Sequence, residues 1–477
     1  MDYLRKDDVK MKKLKKILAL ILVATVVAAC ITGCGKEKSG NADGEPIKVV
    51  WWRSSGHDKV FMQEKFKEFN ETVGKERGIE LVYEHKDGDM EQMLDLAYTS
   101  DQAPDLFTTW KISMRAQQDQ IIAFEDIKGM EGMLEKFGDN ALEGRHQYKG
   151  KTYNLPITTS TYGLIYNKQM FKDAGIVDEN GEAKPPVTWD EVIEDAKLLT
   201  NSKEQKYGII IPLKWGGFYS TDVSMTASAI NGITDGYNPT TGEYCMDGPI
   251  EVMKAYVHMI KDGSCVPGRE GIDNDPARAR FGQGNIGMKI AGSYDVAVLR
   301  DQFPAKIEWG VAPLPVIDTE KAGMQYASAD GLFSVNKNSV ERIGSENIAA
   351  IFDYFSSDEI LTEMYQQGLS MPLNYNLIEN AKFDNEDDMN VQNWKTFASF
   401  VPFSKCPPIG RSTDMTGEKS IVDIAKEILS ELPDDAEIEA IYREYEKKAN
   451  DGIKKYEELH PDYDPSYNII KDWKLLR

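Results

Sequence analysis

Histidine and cysteine are scarce in this chain of 477 residues, which has five of each. The histidines form neither an H-E-x-x-H pair nor any other spacing typical of a metal site. No G-x-S-x-G sequence occurs, and "TGEKS" at residues 416–420 lacks the first glycine of a phosphate-binding loop. We therefore expect no metal, no cofactor and no serine nucleophile.

One glycine-rich segment matches a nucleotide-binding pattern in its letters only. Residues Gly282 to Gly287, "GQGNIG", satisfy G-x-G-x-x-G, a motif that needs a strand before it and a helix after it. Here the helix-like "DPARARF" comes first and the strand-like "IGMKIAG" follows, which argues against a dinucleotide site. Hydrolysis by two carboxylates stays open as an alternative, because such pairs have no fixed spacing and the chain has 78 acidic residues.

Basic residues are fewer than acidic residues in this chain. The chain has 56 Lys and Arg against 78 Asp and Glu, and its formal net charge is −22. The first 33 residues carry seven Lys or Arg and three Asp or Glu, so the remainder is near −26. Such a chain repels phosphate backbones and anionic headgroups, and we expect no nucleic acid as a partner.

A long apolar run lies near the N-terminus, from Ile17 to Val27, behind a lysine-rich stretch that begins at Met11. The run is too short to span a bilayer and is typical of a signal peptide, which we place at residues 1–33. Since signal peptides are removed, this segment is excluded from the fold.

Small residues precede two cysteines after this run, in a pattern that resembles the lipobox of bacterial lipoproteins, whose cysteine carries the lipid. Cys34 fits better than Cys30, because residues 31–33 match the pattern and a polar, flexible tether follows, at residues 34–45. A cleaved signal with a chance cysteine is the alternative. The pattern predicts a protein anchored by lipid at the extracytoplasmic face of the cell membrane.

Three further cysteines, Cys245, Cys265 and Cys406, are an odd number for an exported protein. The segment "GPIEVMKAYVHMIKDG" between the first two predicts a helix roughly 20 Å long, which would hold them apart. Whether any two of these three cysteines form a disulfide stays open at this point.

Strand-like and helix-like segments alternate along the chain. "IKVVWW" at 47–52, "IELVYEH" at 79–85 and "DLFTTW" at 105–110 are typical of strands. "KVFMQEKFKEFN" places Met62, Phe66 and Phe69 on one helical face. This alternation predicts an α/β fold with parallel strands and crossover helices.

Helix signals continue to the C-terminus. Thr188 and Glu191 have the spacing of a capping box behind Pro185 and Pro186. The last hundred residues, with "KSIVDIAKEILSEL" and "AEIEAIYREYEKKANDGIKKY", are predicted to be mostly helical.

Seven segments, in order, cover nearly the whole chain behind the lipobox. They are "IKVVWWRSSGHDKVFMQEKFKEFNETVGKERGIELVYEH", "APDLFTTW", "YNLPITTSTYGLIYNKQMFKDAGI", "PPVTWDEVIEDAKLL", "RFGQGNIGMKIAGSYDV", "WGVAPLPV" and "SADGLFSVNKNSVERIGSENIAAIFDYFSSDEILTEMY". Together they resemble the sugar-type extracellular solute-binding proteins of ABC transporters, a maltose-binding-protein-like family.

This resemblance implies two α/β lobes, a hinge and a ligand cleft between the lobes. The N-terminal lobe would comprise residues 46–156 and 332–378, and the C-terminal lobe residues 157–331 and 379–477. The chain would cross the hinge near Pro156 to Tyr162 and again near Ser328 to Gly331. In such a fold the strands' C-terminal ends face the cleft.

The resemblance also implies a function. We expect a protein that is not an enzyme: a monomer that captures a carbohydrate, expected to be an oligosaccharide, and delivers it to the permease subunits of an ABC importer. The alternatives are a carbohydrate-active surface enzyme and a sugar-sensing input protein for a membrane kinase.

The expected ligand-binding residues lie at strand ends and hinge crossings. Aromatic rings suit the apolar face of a sugar, and Ser, Asp and Arg suit its hydroxyls. The full set is Arg53, Ser54, Ser55, Trp110, Ser160, Trp215, Tyr219, Tyr294, Asp295, Asp330 and Arg411.

Several of these residues have a plain structural alternative. Alternation along a strand sends Trp51 and Trp52 to opposite faces, so at least one should lie in the core. Ser54 and Ser55 are also suitable caps for the next helix. Asp330 could stabilise the hinge instead of touching the ligand.

Overall fold

In a computed structural model, the protein is described over residues 45–54 and 57–477. The signal peptide, most of the tether, Cys30, Cys34 and Ser55 lie outside the described residues. The strands are β1 (Ile47–Arg53), β2 (Ile79–His85), β3 (Leu106–Phe107), β4 (Gln147–Tyr148), β5 (Lys151–Thr152), β6 (Pro156–Thr159), β7 (Tyr162–Asn167), β8 (Tyr207–Ile209), β9 (Tyr237–Asn238), β10 (Glu243–Tyr244), β11 (Ile286–Gly292), β12 (Trp309–Ala312), β13 (Gln325–Tyr326), β14 (Asp330–Gly331), β15 (Ser334–Val335), β16 (Met371–Pro372) and β17 (Ser404–Lys405).

The first main sheet has the strand order β15-β3-β1-β2. Strand β1 pairs in parallel with β2 and β3, as alternation predicts, whereas β15 pairs antiparallel with β3. The helices of this region are Lys59–Glu71, Val73–Arg77, Met90–Thr99, Ile112–Gln117, Glu131–Phe137, Val340–Ile343, Ser345–Phe355 and Asp358–Gln366.

Aromatic rings form the core of this region and enclose one of the two tryptophans in β1. The Trp51 ring is fully buried and lies 4.9 to 5.2 Å, between centroids, from the rings of Phe66, Phe333 and Phe355. Trp52 is only half-buried, and Lys86 Nζ lies 3.9 Å from its ring centroid. Alternation along β1 thus makes Trp51 a core residue.

The second main sheet has the order β12-β7-β11-β8 and is mixed. Strand β7 runs antiparallel to β11 and β12, while β8 and β11 are parallel, so the expectation of parallel strands is wrong for two of the three strand pairings in this sheet. The helices here are Lys168–Asp173, Trp189–Leu198, Thr226–Asn231, Asp247–Lys261, Asn274–Gly282, Asp295–Ala297, Tyr375–Asn380 and Met389–Ala398. The C-terminal helices are Ile421–Glu431 and Asp435–Leu459.

Local signals agree with the structure at several points. Thr188 Oγ1 and the Glu191 carboxylate form the expected capping box. "GQGNIG" joins the end of the helix Asn274–Gly282 to β11, the reverse of the nucleotide-binding order. Cys245, Cys265 and Cys406 are free thiols.

A small three-stranded sheet, β14-β6-β16, lies where the chain passes between the two main sheets. Strand β6 leads into β7 of the second sheet, and β14 leads into β15 of the first. Strand β16 pairs with β6 and precedes the return to helices of the second region. Each passage between the main sheets therefore contributes a strand to this sheet, which we call the crossing sheet.

Candidate functional site

A cavity of about 660 Å³ is lined by the ends of both main sheets and by the crossing sheet. Its walls contain aromatic rings, hydroxyl groups and charged side chains. The polar and aromatic residues in the lining are Arg53, Ser54, His57, Asp58, Thr108, Thr109, Trp110, Arg145, His146, Asn154, Thr158, Ser160, Tyr162, Tyr294, Tyr326, Ser328, Asp330, Phe355 and Ser370. The cavity is within the size range of small-molecule sites.

A buried ion pair joins the last residue of β1 to the residue that precedes the helix Lys59–Glu71. Arg53 Nη2 donates to Asp58 Oδ2 at 2.5 Å, and both side chains are nearly fully buried. The Arg53 guanidinium also lies 5.5 Å from the ring centroid of Trp51. Charged groups that are held in this way can orient a ligand hydroxyl without first being ordered by it.

Trp110 presents an exposed ring on a rigid backbone. Its side chain is 68% exposed, although its backbone N–H donates to Glu91 Oε1 at 2.6 Å. Thr109 Oγ1 donates to the same carboxylate oxygen at 2.7 Å, and the buried Arg115 holds the other oxygen at 2.5 Å. The ring thus has a fixed base and a free face, as a stacking platform requires.

Tyr294 forms the opposite wall, at the end of β11. Its ring folds back over Gly292, where a Cβ atom would lie only 2.5 Å from Tyr294 Cε1, so the close approach requires glycine. The ring of Tyr162 meets it edge-on at 6.2 Å and 84°. His57, from the loop after β1, lies near-parallel to it at 6.2 Å and 29°, so groups from both main sheets meet here.

The floor of the cavity is a hydrogen-bonded part of the crossing sheet. Ser160 N donates to Ser328 Oγ at 2.9 Å, and that hydroxyl donates to Asp330 Oδ2 at 2.6 Å. Desolvation by the surrounding protein raises the pKa of the Asp330 carboxyl, against the hydrogen bond from Ser328 and the nearby Arg145. Asp330 therefore belongs to the crossing sheet and also lines the cavity, and its roles in the hinge and in ligand contact stay predictions.

No pattern in the sequence marks two of the residues that line the cavity. His146 is buried, accepts a hydrogen bond from Leu142 N at Nδ1 and contacts Ala329 O through Nε2 at 2.9 Å. Burial lowers the pKa of its imidazole to about 4, so the ring is neutral near pH 7. Arg145 donates from Nε to Pro407 O at 2.9 Å and lines the cavity. Both lie on an irregular loop, where no periodicity marks them.

The structure brings together six of the predicted ligand-binding residues: Arg53, Ser54, Trp110, Ser160, Tyr294 and Asp330 all line the cavity. Their contact with a ligand stays a prediction. Tyr162 and Ser328, which also line it, belong to the predicted hinge crossings and could have been chosen for that reason.

Trp215 and Tyr219 do not line the cavity. The Trp215 ring is half-buried and lies over Gly217, where a Cβ atom would be 2.5 Å from Trp215 Cζ2. Tyr219 begins a π-helical segment, Tyr219–Met225, and is buried in the core of the second region beside Tyr442. The π-helical turn directs this tyrosine inward.

Asp295 and Arg411 also lie outside the lining, and each belongs to an ion pair. Asp295 is buried and accepts from Arg278 at 2.6 Å. Arg411 pairs with Glu457 and donates from Nη1 to Gly242 O at 3.2 Å. Their charges are thus neutralised by partners in the second region.

One group of possible metal ligands lies elsewhere. Donor atoms of Cys245, Asp247 and Glu446 are within 4.8 Å of one another. However, Arg443 pairs with Asp247 at 2.5 Å and with Glu446 at 2.8 Å. The guanidinium already neutralises both carboxylates, and none of these residues lines the cavity.

Residues 54–362, more than half of the chain, match the family model of the bacterial extracellular solute-binding proteins. The chain belongs to this family. A binding protein of Brucella abortus is 26% identical over 310 residues, which are 64% of this chain and 69% of that protein. The maltotriose-binding protein of Pyrococcus abyssi is 28% identical over 283 residues, 58% of this chain and 55% of that protein.

A third relative binds another kind of ligand. The sn-glycerol-3-phosphate-binding periplasmic protein of Brucella melitensis is 25% identical over 380 residues, 75% of this chain and 82% of that protein. These relatives are binding proteins rather than enzymes.

Solved structures show the same fold. The GacH receptor of Streptomyces glaucescens superposes with a TM-score of 0.65 at 17% identity, over 88% of this chain and 100% of that one. A substrate-binding protein of Listeria monocytogenes, solved with cycloalternan, gives 0.63 at 18% identity, over 86% and 99%. The solute-binding family and the two-lobe fold predicted from the sequence are thereby confirmed.

Across residues 45–54 and 57–477, no helix is both long enough and apolar enough to cross a membrane.

Proposed function

We propose that the protein binds a carbohydrate, an oligosaccharide, in the cavity between its main sheets and delivers it to an ABC importer. The observation that carries this proposal is the composition of the cavity wall. An exposed indole at Trp110 and a phenol ring at Tyr294 face a floor of hydroxyl and carboxylate groups. Sugars need this combination, because their rings have an apolar face and a rim of hydroxyls that must be satisfied when desolvated.

The relatives support the same ligand class. One binds maltotriose, and neighbours of the same fold were solved with acarbose, cycloalternan and raffinose. The glycerol-3-phosphate-binding relative supports a second candidate, a small phosphorylated polyol. Arg145 is the lining group suited to it, since guanidinium binds phosphate bidentately and Arg145 has no carboxylate within 4.0 Å among the described residues.

A thermal-shift screen tests the ligand class. Purified protein is heated with mono- and oligosaccharides, including maltotriose and raffinose, and with sn-glycerol 3-phosphate. A ligand at 100 times its dissociation constant adds about 2.7 kcal/mol to stability. Stabilisation by an oligosaccharide supports the proposal, and stabilisation by glycerol 3-phosphate alone would replace it.

The same sample separates binding from catalysis. The stabilising sugar is incubated with the protein and analysed by chromatography. We expect it to be recovered unchanged. Shortened products would favour the carbohydrate-active enzyme.

The two lobes and the anchor are part of the proposal. The lobes would be residues 46–156 with 332–378 and residues 157–331 with 379–477, and the crossing sheet would serve as the hinge. Lipid on Cys34 would hold the mature protein outside the cytoplasmic membrane, where the tether leaves the lobes free to meet the permease. Cys34→Ala should release the protein into the medium, whereas release by Cys30→Ala alone would identify Cys30 as the anchor.

A further inference from the structure

We propose that Arg278 is a positioning residue, which fixes the ring of Tyr294 at the cavity wall and thereby sets the affinity for sugar. The inference rests on the proposed function, because it assumes that this ring stacks on the ligand. Arg278 itself does not line the cavity. It acts through Tyr294.

Two carboxylates hold the Arg278 guanidinium in one orientation. Nε and Nη2 each lie 2.6 Å from Asp295 Oδ1, and Nη1 lies 2.8 Å from Asp275 Oδ1. Arg278 and Asp275 lie on the helix Asn274–Gly282, and Asp295 begins the next helix after β11. The fork of donors therefore joins two elements, and a planar group held on three nitrogens has little freedom.

The orientation of this guanidinium bears directly on the ring. Arg278 Cζ lies over Tyr294, 5.9 Å from the ring centroid, which is within the range of a cation–π contact. Asp295 Oδ2 also accepts a hydrogen bond from Gly292 N at 3.1 Å. Since the Tyr294 ring lies close to Gly292, one carboxylate holds both the backbone next to the ring and the guanidinium that contacts it.

This arrangement gives Asp295 a role different from direct ligand contact. Asp295 is one of the ligand-binding residues predicted from the sequence. The structure buries its carboxylate against Arg278 instead. Asp295 thus contributes to the site by orienting Arg278.

The first test needs no ligand. Tyr294 is replaced by 3-fluorotyrosine, and the ¹⁹F spectrum is recorded for the parent protein, for Arg278→Met and for Arg278→Lys. We expect a single resonance in the parent and a shifted, split or broadened one in Arg278→Met, with partial recovery in Arg278→Lys, which keeps the charge. An unchanged spectrum in Arg278→Met would overturn the inference.

The second test is a double-mutant cycle on affinity, with the sugar that gives the largest shift in the screen. Arg278→Met should weaken binding about two- to thirtyfold, the range of a cation–π contact. The same change in a Tyr294→Ala background should have less than about a twofold effect. Equal losses in both backgrounds would show that Arg278 acts without the ring.

Controls separate positioning from folding. Arg280→Met changes an exposed arginine on the same helix and should alter neither readout. If Arg278→Met fails to fold because Asp295 is left unpaired, Arg278→Met/Asp295→Asn removes both charges and is tested in its place. If Tyr294→Ala leaves affinity unchanged, the ring's place in the proposed function fails, while the fluorine spectrum still decides whether Arg278 orders the ring.

Discussion

At the scale of residues, aromatic side chains divide into two groups by what their faces contact. The Trp51 ring is enclosed by phenylalanines, whereas the Trp110 ring is largely exposed above a hydrogen-bonded backbone. Trp51 lies within β1, opposite Leu106 of β3, and Trp110 follows the end of β3. Their burial, rather than their position in the sequence, decides which one serves stability and which one is available to a ligand.

Trp110→Ala should weaken sugar binding and leave the unliganded fold almost intact. Loss of a stacking face and of buried apolar area amounts to about 1 to 3 kcal/mol, or roughly ten- to a hundredfold in dissociation constant. Titration calorimetry and a melting curve without ligand check both parts. Trp51→Ala is the matched control and should cost about 3 to 5 kcal/mol of stability. A large loss of stability in Trp110→Ala with unchanged affinity would contradict this assignment.

His146 should make stability depend on pH on the acid side. Its pKa is near 4 in the folded protein and 6.5 without the protein environment. Between these values the unfolded chain binds a proton that the folded chain does not, so stability falls as pH falls from 6.5 towards 4. His146→Gln should reduce this fall in melting temperature, whereas His460→Gln, at an exposed site, should not. If the melting temperatures of the parent and of His146→Gln fall in parallel as pH falls, the His146 imidazole is not the cause of the pH dependence.

At the scale of elements, the crossing sheet is where packing leaves least room. A Cβ atom at Gly331 of β14 would lie 1.3 Å from Asn154 Oδ1, a buried atom that has no hydrogen-bond partner among the residues the structure describes. Gly331 also ends the strand that carries Asp330 into the cavity. A side chain at position 331 would therefore disturb both β14, the second connection between the main sheets, and the cavity floor next to it.

Gly331→Ala should therefore destabilise the protein by about 1 to 3 kcal/mol, the usual range for overpacking. Urea denaturation measures the loss. Asn154→Ala in the same chain should restore most of it, because it removes the clashing amide. Gly132→Ala, at a site with nothing within 4 Å, is the control and should not destabilise. Failure of Asn154→Ala to rescue would place the strain elsewhere.

Local sequence patterns are sufficient to predict some helices and strands and insufficient for others. The apolar spacing of Met62, Phe66 and Phe69 and the capping box at Thr188 predicted helices that the structure contains. "DLFTTW" yields a strand of only two residues, and its last residues form the loop that holds Trp110. The direction of β7 against β11 depends on pairing between distant segments, which periodicity does not encode.

The same limit applies to the site. Arg53 was predictable because it ends a strand that faces the cleft in such a fold, and Trp110 and Tyr294 because their segments resemble those of the family. Tyr219 turns into the core because of a π-helical turn that no sequence signal marked. His146 reaches the cavity from an irregular loop, so its place became evident only from the tertiary structure.

At the scale of the whole molecule, the cavity is bounded by groups from both main sheets, such as His57 and Tyr294. A ligand that contacts both sides favours the conformation in which the sides are close. Small-angle scattering should therefore give a smaller radius of gyration with saturating sugar than without it. Equal radii would contradict a hinge motion about the crossing sheet.

Titration calorimetry shows whether the cavity binds an oligosaccharide reversibly. The sugar selected by the thermal-shift screen is titrated into the parent protein and into Trp110→Ala/Tyr294→Ala. We expect one site per chain in the parent, with the sugar recovered unchanged, and a loss of affinity of at least about tenfold in the double variant. Equal affinity in both proteins, or no binding of any sugar by the parent, would contradict this expectation.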